Sequence, residues 1–160
     1  AEDFAKALQI NPESAEALAG LARIYFDSGN EEGAAQMIES ASPSVQDHPE
    51  IAAVRSMLTL KEEAPEAEDA REAEALVVEH LAIVEASPEN LDARLELAKA
   101  LVGAGQTAEA VDQLIYSIGK NRMHNDESAR KFLLTIFEAE GNESEVSING
   151  RRQLSSILFA

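Results

Sequence analysis

The sequence predicts an all-α protein in which antiparallel helix–turn–helix repeats stack into a right-handed solenoid. The first observation is composition: the 160 residues include 28 alanines, only 4% are aromatic, and tryptophan is absent. Alanine, leucine, glutamate and glutamine favour helices because they lose little side-chain freedom there. The second observation is an internal repeat, which is the sequence signature of solenoid architectures. We therefore expect a single repeat domain over residues 1–160.

The internal repeat relates six positions across an offset of 76 residues. Each residue of the first set is matched by an identical or similarly apolar residue in the second. The sets are Pro12, Leu21, Ala22, Gly29, Ala34 and Ile38, and then Pro88, Leu97, Ala98, Gly105, Ala110 and Leu114. An offset of 34 also pairs Phe4 and Ala7 with Ile38 and Ala41. Residues 1–11 are therefore interpreted as the second half of a unit.

Residues 12–47 form the first complete predicted unit. Its first helix is expected over Ala15–Ser28, where Ser14 can cap the N-terminus. The inward stripe of this helix is predicted to contain Leu18, Leu21, Ala22 and Tyr25. Gly29 can take the left-handed conformation that commonly ends a helix, and the second helix is expected over Glu31–Ala41. One alanine in each helix marks the point where the two helices approach closely.

The middle of the chain contains two further predicted units. Residues 48–87 are interpreted as a degenerate repeat, because His80 stands where Ile38 and Leu114 stand in the clear units. Residues 88–122 return to the first pattern. The predicted helices are Pro49–Glu63 and Glu66–Ala86 in the former, and Leu91–Val102 and Thr107–Ile118 in the latter.

Residues 125–160 are predicted to form a terminal repeat with a capping helix. Its first helix begins near Asn125, and Gly141 marks the turn. The capping helix is expected over Glu143–Phe159. Asn149-Gly150 interrupts this helix, and glycine costs up to about 1 kcal/mol relative to alanine in a helix interior. We therefore expect a local kink or a frayed start there.

Charge and residue content disfavour several functions. The chain has 30 acidic and 13 basic residues, a net charge of −17, which opposes binding to nucleic acids and anionic membranes. Cysteine is absent, so disulfides, thiolate metal sites and cysteine nucleophiles are excluded. The histidines, His48, His80 and His124, lack metal-site spacing. No apolar run is long enough to span a membrane. We predict no catalytic, cofactor-binding or metal-binding residue, and a cytoplasmic location.

The segment Glu62–Glu74 carries seven acidic residues in thirteen. We interpret it as a solvated turn and helix start, where carboxylates interact favourably with the helix dipole. The alternative is a surface that attracts basic segments of unfolded proteins.

The repeat pattern resembles the tetratricopeptide repeat, a helix–turn–helix unit of about 34 residues. The shared features are a small residue in each helix, glycine at the turn and proline between units. The resemblance is fullest over Ala15–Gln46 and Leu91–Arg122. It implies a protein that acts through its surfaces, because each unit buries itself mainly against its neighbours.

The C-terminal residues carry a narrower resemblance. Asn125–Phe137, Gly141, Arg151–Phe159 and Ala110–Ile118 resemble the end of the bacterial thioredoxin–tetratricopeptide co-chaperones, or chaperedoxins. Members of that family join an N-terminal thioredoxin-like domain to such a helical region. They bind unfolding clients under oxidative stress and pass them to the chaperonin and Hsp70 systems. The resemblance implies that the thioredoxin-like domain lies outside this sequence, an expectation consistent with the missing initiator methionine.

Two candidate binding surfaces follow. A concave groove is expected on the first helices, and its nearby residues include Glu16, Ala19, Asp92 and Thr135. The predicted groove contacts are Arg23, Phe26, Leu95, Lys99, Val102 and Lys131. Their cations would neutralise an acidic partner and their apolar side chains would give contact area. The alternative is that these are ordinary solvated residues.

The second candidate surface is the terminal helix. By resemblance it would dock on the chaperonin through an apolar face led by two arginines. The predicted docking residues are Arg151, Arg152, Leu154, Leu158 and Phe159. The alternative is a capping helix that buries Leu154 and Leu158 on the last unit.

The preferred hypothesis is the protein-interaction domain of a thioredoxin-like co-chaperone, binding client proteins and chaperone partners without a cofactor. Two alternatives stay open. The chain would be a scaffold that dimerises or positions its redox domain, or it would select substrates for a thiol–disulfide oxidoreductase whose active site lies elsewhere.

Overall fold

The computed structural model describes residues 1–159. These residues form nine α-helices and contain no β-strand. The helices are α1 Glu2–Ile10, α2 Ala15–Asp27, α3 Glu31–Glu39, α4 Pro49–Glu63, α5 Ala70–Ala86, α6 Leu91–Gly103, α7 Thr107–Asn121, α8 Ser128–Glu140 and α9 Glu145–Leu158. The predicted all-α, helix–turn–helix repeat class is confirmed, and α4 has the predicted bounds.

The chain divides into two compact units, and the division falls inside α4. In the first unit, Ala1–Thr59, α1 packs on α2 and α2 packs on α3. In the second unit, which begins at Leu60, α5 packs on α6 and α6 packs on α7. There α7 also packs on α8 and α9. Each unit is thus built from helices that follow one another in the chain.

Fully buried alanines lie in the core of each unit. In the first unit, Ala22 of α2 and Ala34 of α3 have no exposed surface and belong to one apolar cluster. In the second, Ala98 and Ala110 hold the corresponding places in α6 and α7. Because an alanine side chain is a single methyl group, paired helices can approach closely at these points.

Helix caps also recur at the 76-residue offset. The Ser14 hydroxyl accepts a hydrogen bond from Ala17 N at 3.3 Å, and Asn90 Oδ1 accepts one from Ala93 N at 3.0 Å. Each bond satisfies a backbone donor in the first turn of a helix, which otherwise has no intrahelical partner. The predicted left-handed Gly29 is confirmed, with φ at +79°.

The predicted inward position of Tyr25 is wrong. Tyr25 is exposed and lines an open cavity of about 350 Å³ beside α3. The inward row of α2 continues instead from Ala22 to Phe26, which packs against the cluster of the first unit. The core row ends four residues after Ala22 rather than three.

The helix α5 begins later than predicted, at Ala70 instead of Glu66. Asp69 Oδ1 accepts a hydrogen bond from Glu72 N at 2.9 Å, and Glu72 Oε2 accepts one from Glu68 N at 2.7 Å. These reciprocal bonds resemble a capping box. They end the acidic turn and start the helix.

The predicted interruption at Asn149-Gly150 is also wrong, because α9 runs without a break from Glu145 to Leu158. Gly150 is buried, and a Cβ atom there would lie 2.6 Å from the Phe137 ring and 3.0 Å from Val111. Phe137 is itself fully buried, so it has little room to move. Close packing at Gly150 outweighs the poor helix propensity of glycine.

Polar contacts around Glu89 connect the loop before α6 to α7, and we call them the polar clasp. Glu89 Oε1 accepts hydrogen bonds from Tyr116 Oη at 3.0 Å and Lys120 Nζ at 3.3 Å. The Arg94 guanidinium lies 3.8 Å from the centre of the Tyr116 ring. The hydroxyl of Tyr116, and then the ammonium of Lys120, lower the pKa of the Glu89 carboxyl.

We predict that Gly150→Ala destabilises the chain by about 1–3 kcal/mol, because the added methyl group overpacks a filled core site. Helix propensity alone predicts that Gly150→Ala stabilises the chain, because alanine favours the helix more than glycine does. Chemical denaturation followed by circular dichroism measures the change. The control is Asn149→Ala, an exposed position in the same helix, which should be neutral or slightly stabilising. A stabilising Gly150→Ala would contradict the packing argument.

We predict that Glu89→Gln lowers the unfolding temperature at pH 7. Because the pKa of Glu89 is lower in the folded chain than in the unfolded chain, its carboxylate stabilises the fold at pH values above the unfolded pKa of about 4.3. This stabilisation is lost as the pH falls through the folded-state pKa. The difference between wild type and Glu89→Gln should therefore shrink in acid. Thermal unfolding at several pH values measures it, with Glu79→Gln on α5 as the control. Equal melting of Glu89→Gln and wild type at pH 7 would refute a stabilising clasp.

Candidate protein-binding surfaces

The predicted groove residues lie in both compact units. Arg23 and Phe26 belong to α2 in the first unit. Leu95, Lys99 and Val102 belong to α6, and Lys131 belongs to α8, all in the second unit.

Their exposures differ from the expectation of an open groove. Leu95 is only 8% exposed and is part of the second core, so its side chain is not available to a partner. Ala19 is likewise fully buried. Phe26 and Val102 are half-buried against the core of their own unit. Positions next to the predicted core stripe are therefore partly or wholly taken into the core of their own unit.

Each predicted groove cation already has an acidic partner. Arg23 Nη2 lies 3.2 Å from Glu50 Oε2, and Lys99 Nζ lies 3.1 Å from Glu96 Oε1 and 3.9 Å from Glu63 Oε2.

Lys131 Nζ donates to Asp126 Oδ2 at 2.6 Å and lowers the pKa of that carboxyl. An acidic partner of either unit would have to displace the carboxylates that are paired with the cations of that unit. The first-helix surface is therefore poorly suited to an anionic ligand.

Two histidine–carboxylate pairs occupy equivalent places in the two units. His48 Nε2 lies 3.8 Å from Glu16 Oε1, and His124 Nε2 lies 2.8 Å from Asp92 Oδ1. The two histidines are related by the 76-residue offset, and so are the two acidic residues. The repeat in the sequence is therefore the signal that marks both pairs. Each pair ties the segment after a second helix to the first turn of an earlier first helix.

The terminal helix α9 has one packed face and one open face. Ser147 and Gly150 are buried, and Leu154 packs against the core of the second unit. Among the predicted docking residues, Arg151, Arg152, Leu158 and Phe159 are exposed, the last by 87%.

Two exposed apolar residues of this helix lie outside the predicted docking set: Ile157, which is 36% exposed, and Ile148, which is 48% exposed. The periodicity of Ile148 relative to Arg152 and Phe159, at four and eleven residues, is the signal that marks it. The capping alternative is confirmed for Leu154 and wrong for Leu158, which is 37% exposed. Docking of α9 on a partner stays a prediction.

The described part of the chain offers little for other chemistry. No group of three or more histidine or acidic side chains within residues 1–159 is placed to hold a metal ion. In the same range, none of the helices combines the length and apolar character that crossing a membrane requires.

Family comparison agrees with the helical architecture. Two family models, both described as tetratricopeptide repeat, match residues 66–159 and residues 1–58. The chain belongs to the tetratricopeptide repeat family. Tetratricopeptide repeats generally mediate protein–protein interactions, and their fold is typically non-catalytic.

No curated protein matches the chain. One solved structure that it resembles is a domain of protein VP0806, of unknown function, from Vibrio parahaemolyticus. The two share 22% sequence identity with a TM-score of 0.46, over 99% of this chain and 92% of the other.

We predict that Leu95→Ala destabilises the repeat by about 2–5 kcal/mol, because it empties a filled site in the core. The control is Leu81→Ala on α5, where the side chain is 41% exposed and the loss should be much smaller. Urea denaturation compares the two variants. Equal stability losses would show that Leu95 is not a core residue.

Proposed function

We propose that this chain is the protein-binding region of a cytoplasmic, thioredoxin-linked co-chaperone that holds unfolding clients and presents them to chaperonin and Hsp70 partners. Membership of the tetratricopeptide repeat family supports protein binding. The resemblance of the C-terminal residues to chaperedoxins supports the co-chaperone assignment.

The observation that carries this proposal is the open face of α9. Leu158 and Phe159 are exposed next to each other at the end of the helix, and Ile148 is exposed near its start. Arg152 is exposed one turn after Ile148, whereas the Arg151 guanidinium lies 5.2 Å from the centre of the Phe137 ring. Large apolar side chains exposed together commonly mark interaction sites. Because Ser147, Gly150 and Leu154 hold the other face, a partner can bind α9 without unfolding it.

Charge also favours α9 as the docking element. The helix carries two arginines and a single acidic residue, Glu145 in its first turn, whereas the whole chain has a net charge of −17. An apolar partner groove with a negative rim would be attracted here and repelled elsewhere. The groove on the first helices would contribute less, since Arg23, Lys99 and Lys131 are already paired.

The test compares wild type with the double variant Ile148→Ser, Phe159→Ser. Binding to purified chaperonin is measured by biolayer interferometry, and client holding by light scattering of a heat-destabilised enzyme. We expect the double variant to bind chaperonin at least about tenfold more weakly, since burying an apolar side chain contributes about 1.5–3 kcal/mol. Ile10→Ser, at an almost fully exposed site on α1, is the matched control.

A wild-type chain that retains neither chaperonin nor client would overturn the proposal. A tight dimer without client binding would favour the scaffold alternative, and light scattering of the chain alone detects it.

A further inference from the structure

A second surface of mixed character lies on α5. Glu74, Val78, Leu81 and Glu85 follow one another at spacings of four, three and four residues, which places them along one side of the helix. We call these four residues the α5 stripe. Val78 is 61% exposed and Leu81 is 41% exposed. The buried row of this helix, Ala73, Val77 and Val84, is separate from the stripe.

The carboxylates of the α5 stripe are not neutralised. Glu74 Oε2 accepts a hydrogen bond from Gln106 Nε2 at 2.8 Å, and this neutral amide leaves the negative charge in place. Glu85 is exposed and forms no ion pair within the described residues. The rest of α5 adds Glu72 and Glu79 against a single arginine. This contrasts with Lys99 on α6 and with Arg130 and Lys131 on α8, which are each paired with an acidic side chain.

We propose that the α5 stripe binds basic amphipathic segments of other proteins. Apolar side chains of such a segment would cover Val78 and Leu81, and lysine or arginine at either end would pair with Glu74 and Glu85. Opposite charges across an interface select the partner and speed its approach. An acidic segment is repelled, and the net charge of −17 also opposes the approach of a second copy.

This inference goes beyond the proposed function, because it places a binding surface on a different helix. The partner of that surface is basic, whereas the partner that suits α9 is acidic. Its experiment is accordingly independent of the chaperonin test. A chain that fails to bind chaperonin can still bind a basic peptide on α5, and the reverse also holds.

The experiment titrates the chain 1–160 into a short fluorescein-labelled peptide of leucine and lysine with amphipathic helical spacing. Fluorescence anisotropy reports the Kd. A matched peptide with glutamate at every lysine position tests the charge requirement. Titrations at about 50 mM and about 300 mM salt test screening, since the Debye length falls below about 10 Å over this range.

The decisive variant is Val78→Ser with Leu81→Ser, which removes the apolar contact and leaves the charge unchanged. We expect its Kd for the basic peptide to rise about tenfold, because two partly exposed apolar side chains lose their burial. Glu74→Gln with Glu85→Gln should weaken binding at low salt and flatten the salt dependence. Ile10→Ser and Ile148→Ser should leave the Kd unchanged. Circular dichroism verifies that each variant is folded.

Unchanged affinity in Val78→Ser, Leu81→Ser would overturn the proposal, because binding would then be diffuse attraction to an acidic protein. Equal affinity for the acidic peptide would overturn it as well. A third outcome would also overturn it. If sedimentation shows that the wild-type chain self-associates and that Val78→Ser, Leu81→Ser makes it monomeric, the stripe binds a second copy of the chain.

Discussion

Close approach of helices at alanine is the constraint on which both units depend. With few aromatic residues and no tryptophan, the cores cannot be filled by a few large side chains. Helix pairs must instead come close enough for small side chains to exclude water between them. Four alanines have no exposed surface: Ala22 and Ala34 in the first unit, and Ala98 and Ala110 in the second. A larger residue at any of them would separate the helices and strain every contact beside it.

This way of packing decides which side chains are left for partners. When helices approach closely, positions beside the core row are drawn inward, and Leu95 becomes a core residue rather than a groove residue. Other positions stay open. Val78 on α5 and Ile148 on α9 are large apolar side chains that are exposed to solvent. The useful surfaces thus lie where neighbouring helices do not close over them.

Local features of the fold could be read from the sequence, and features that depend on distant residues could not. The bounds of Pro49–Glu63 and the Ser14 cap depend on neighbours along the chain. Glycine is suited to position 150 because Phe137 and Val111 leave no room for a Cβ atom there. Helix propensity cannot predict this, because it depends only on residue type.

The candidate site was harder to predict than the fold for the same reason. Arg23 is paired by Glu50, a residue of another helix, and spacing within α2 gives no sign of it. The paired histidines are the exception, since His48 and His124 with Glu16 and Asp92 follow the same offset that revealed the repeat. A repeat thus predicts equivalent contacts as well as equivalent cores.

The placement of unpaired charge gives the second unit two chemically different surfaces. Lys99 on α6, and Arg130 and Lys131 on α8, are paired with acidic side chains of the same chain. The two arginines of α9 share their helix with a single acidic residue, Glu145. On α5 the Glu74 carboxylate of the stripe is bonded by the neutral amide of Gln106. Each surface pairs its charge with exposed apolar side chains, but the signs are opposite. If both proposals hold, a partner complementary to one surface is repelled by the other, and the two partners would not compete for the same helix.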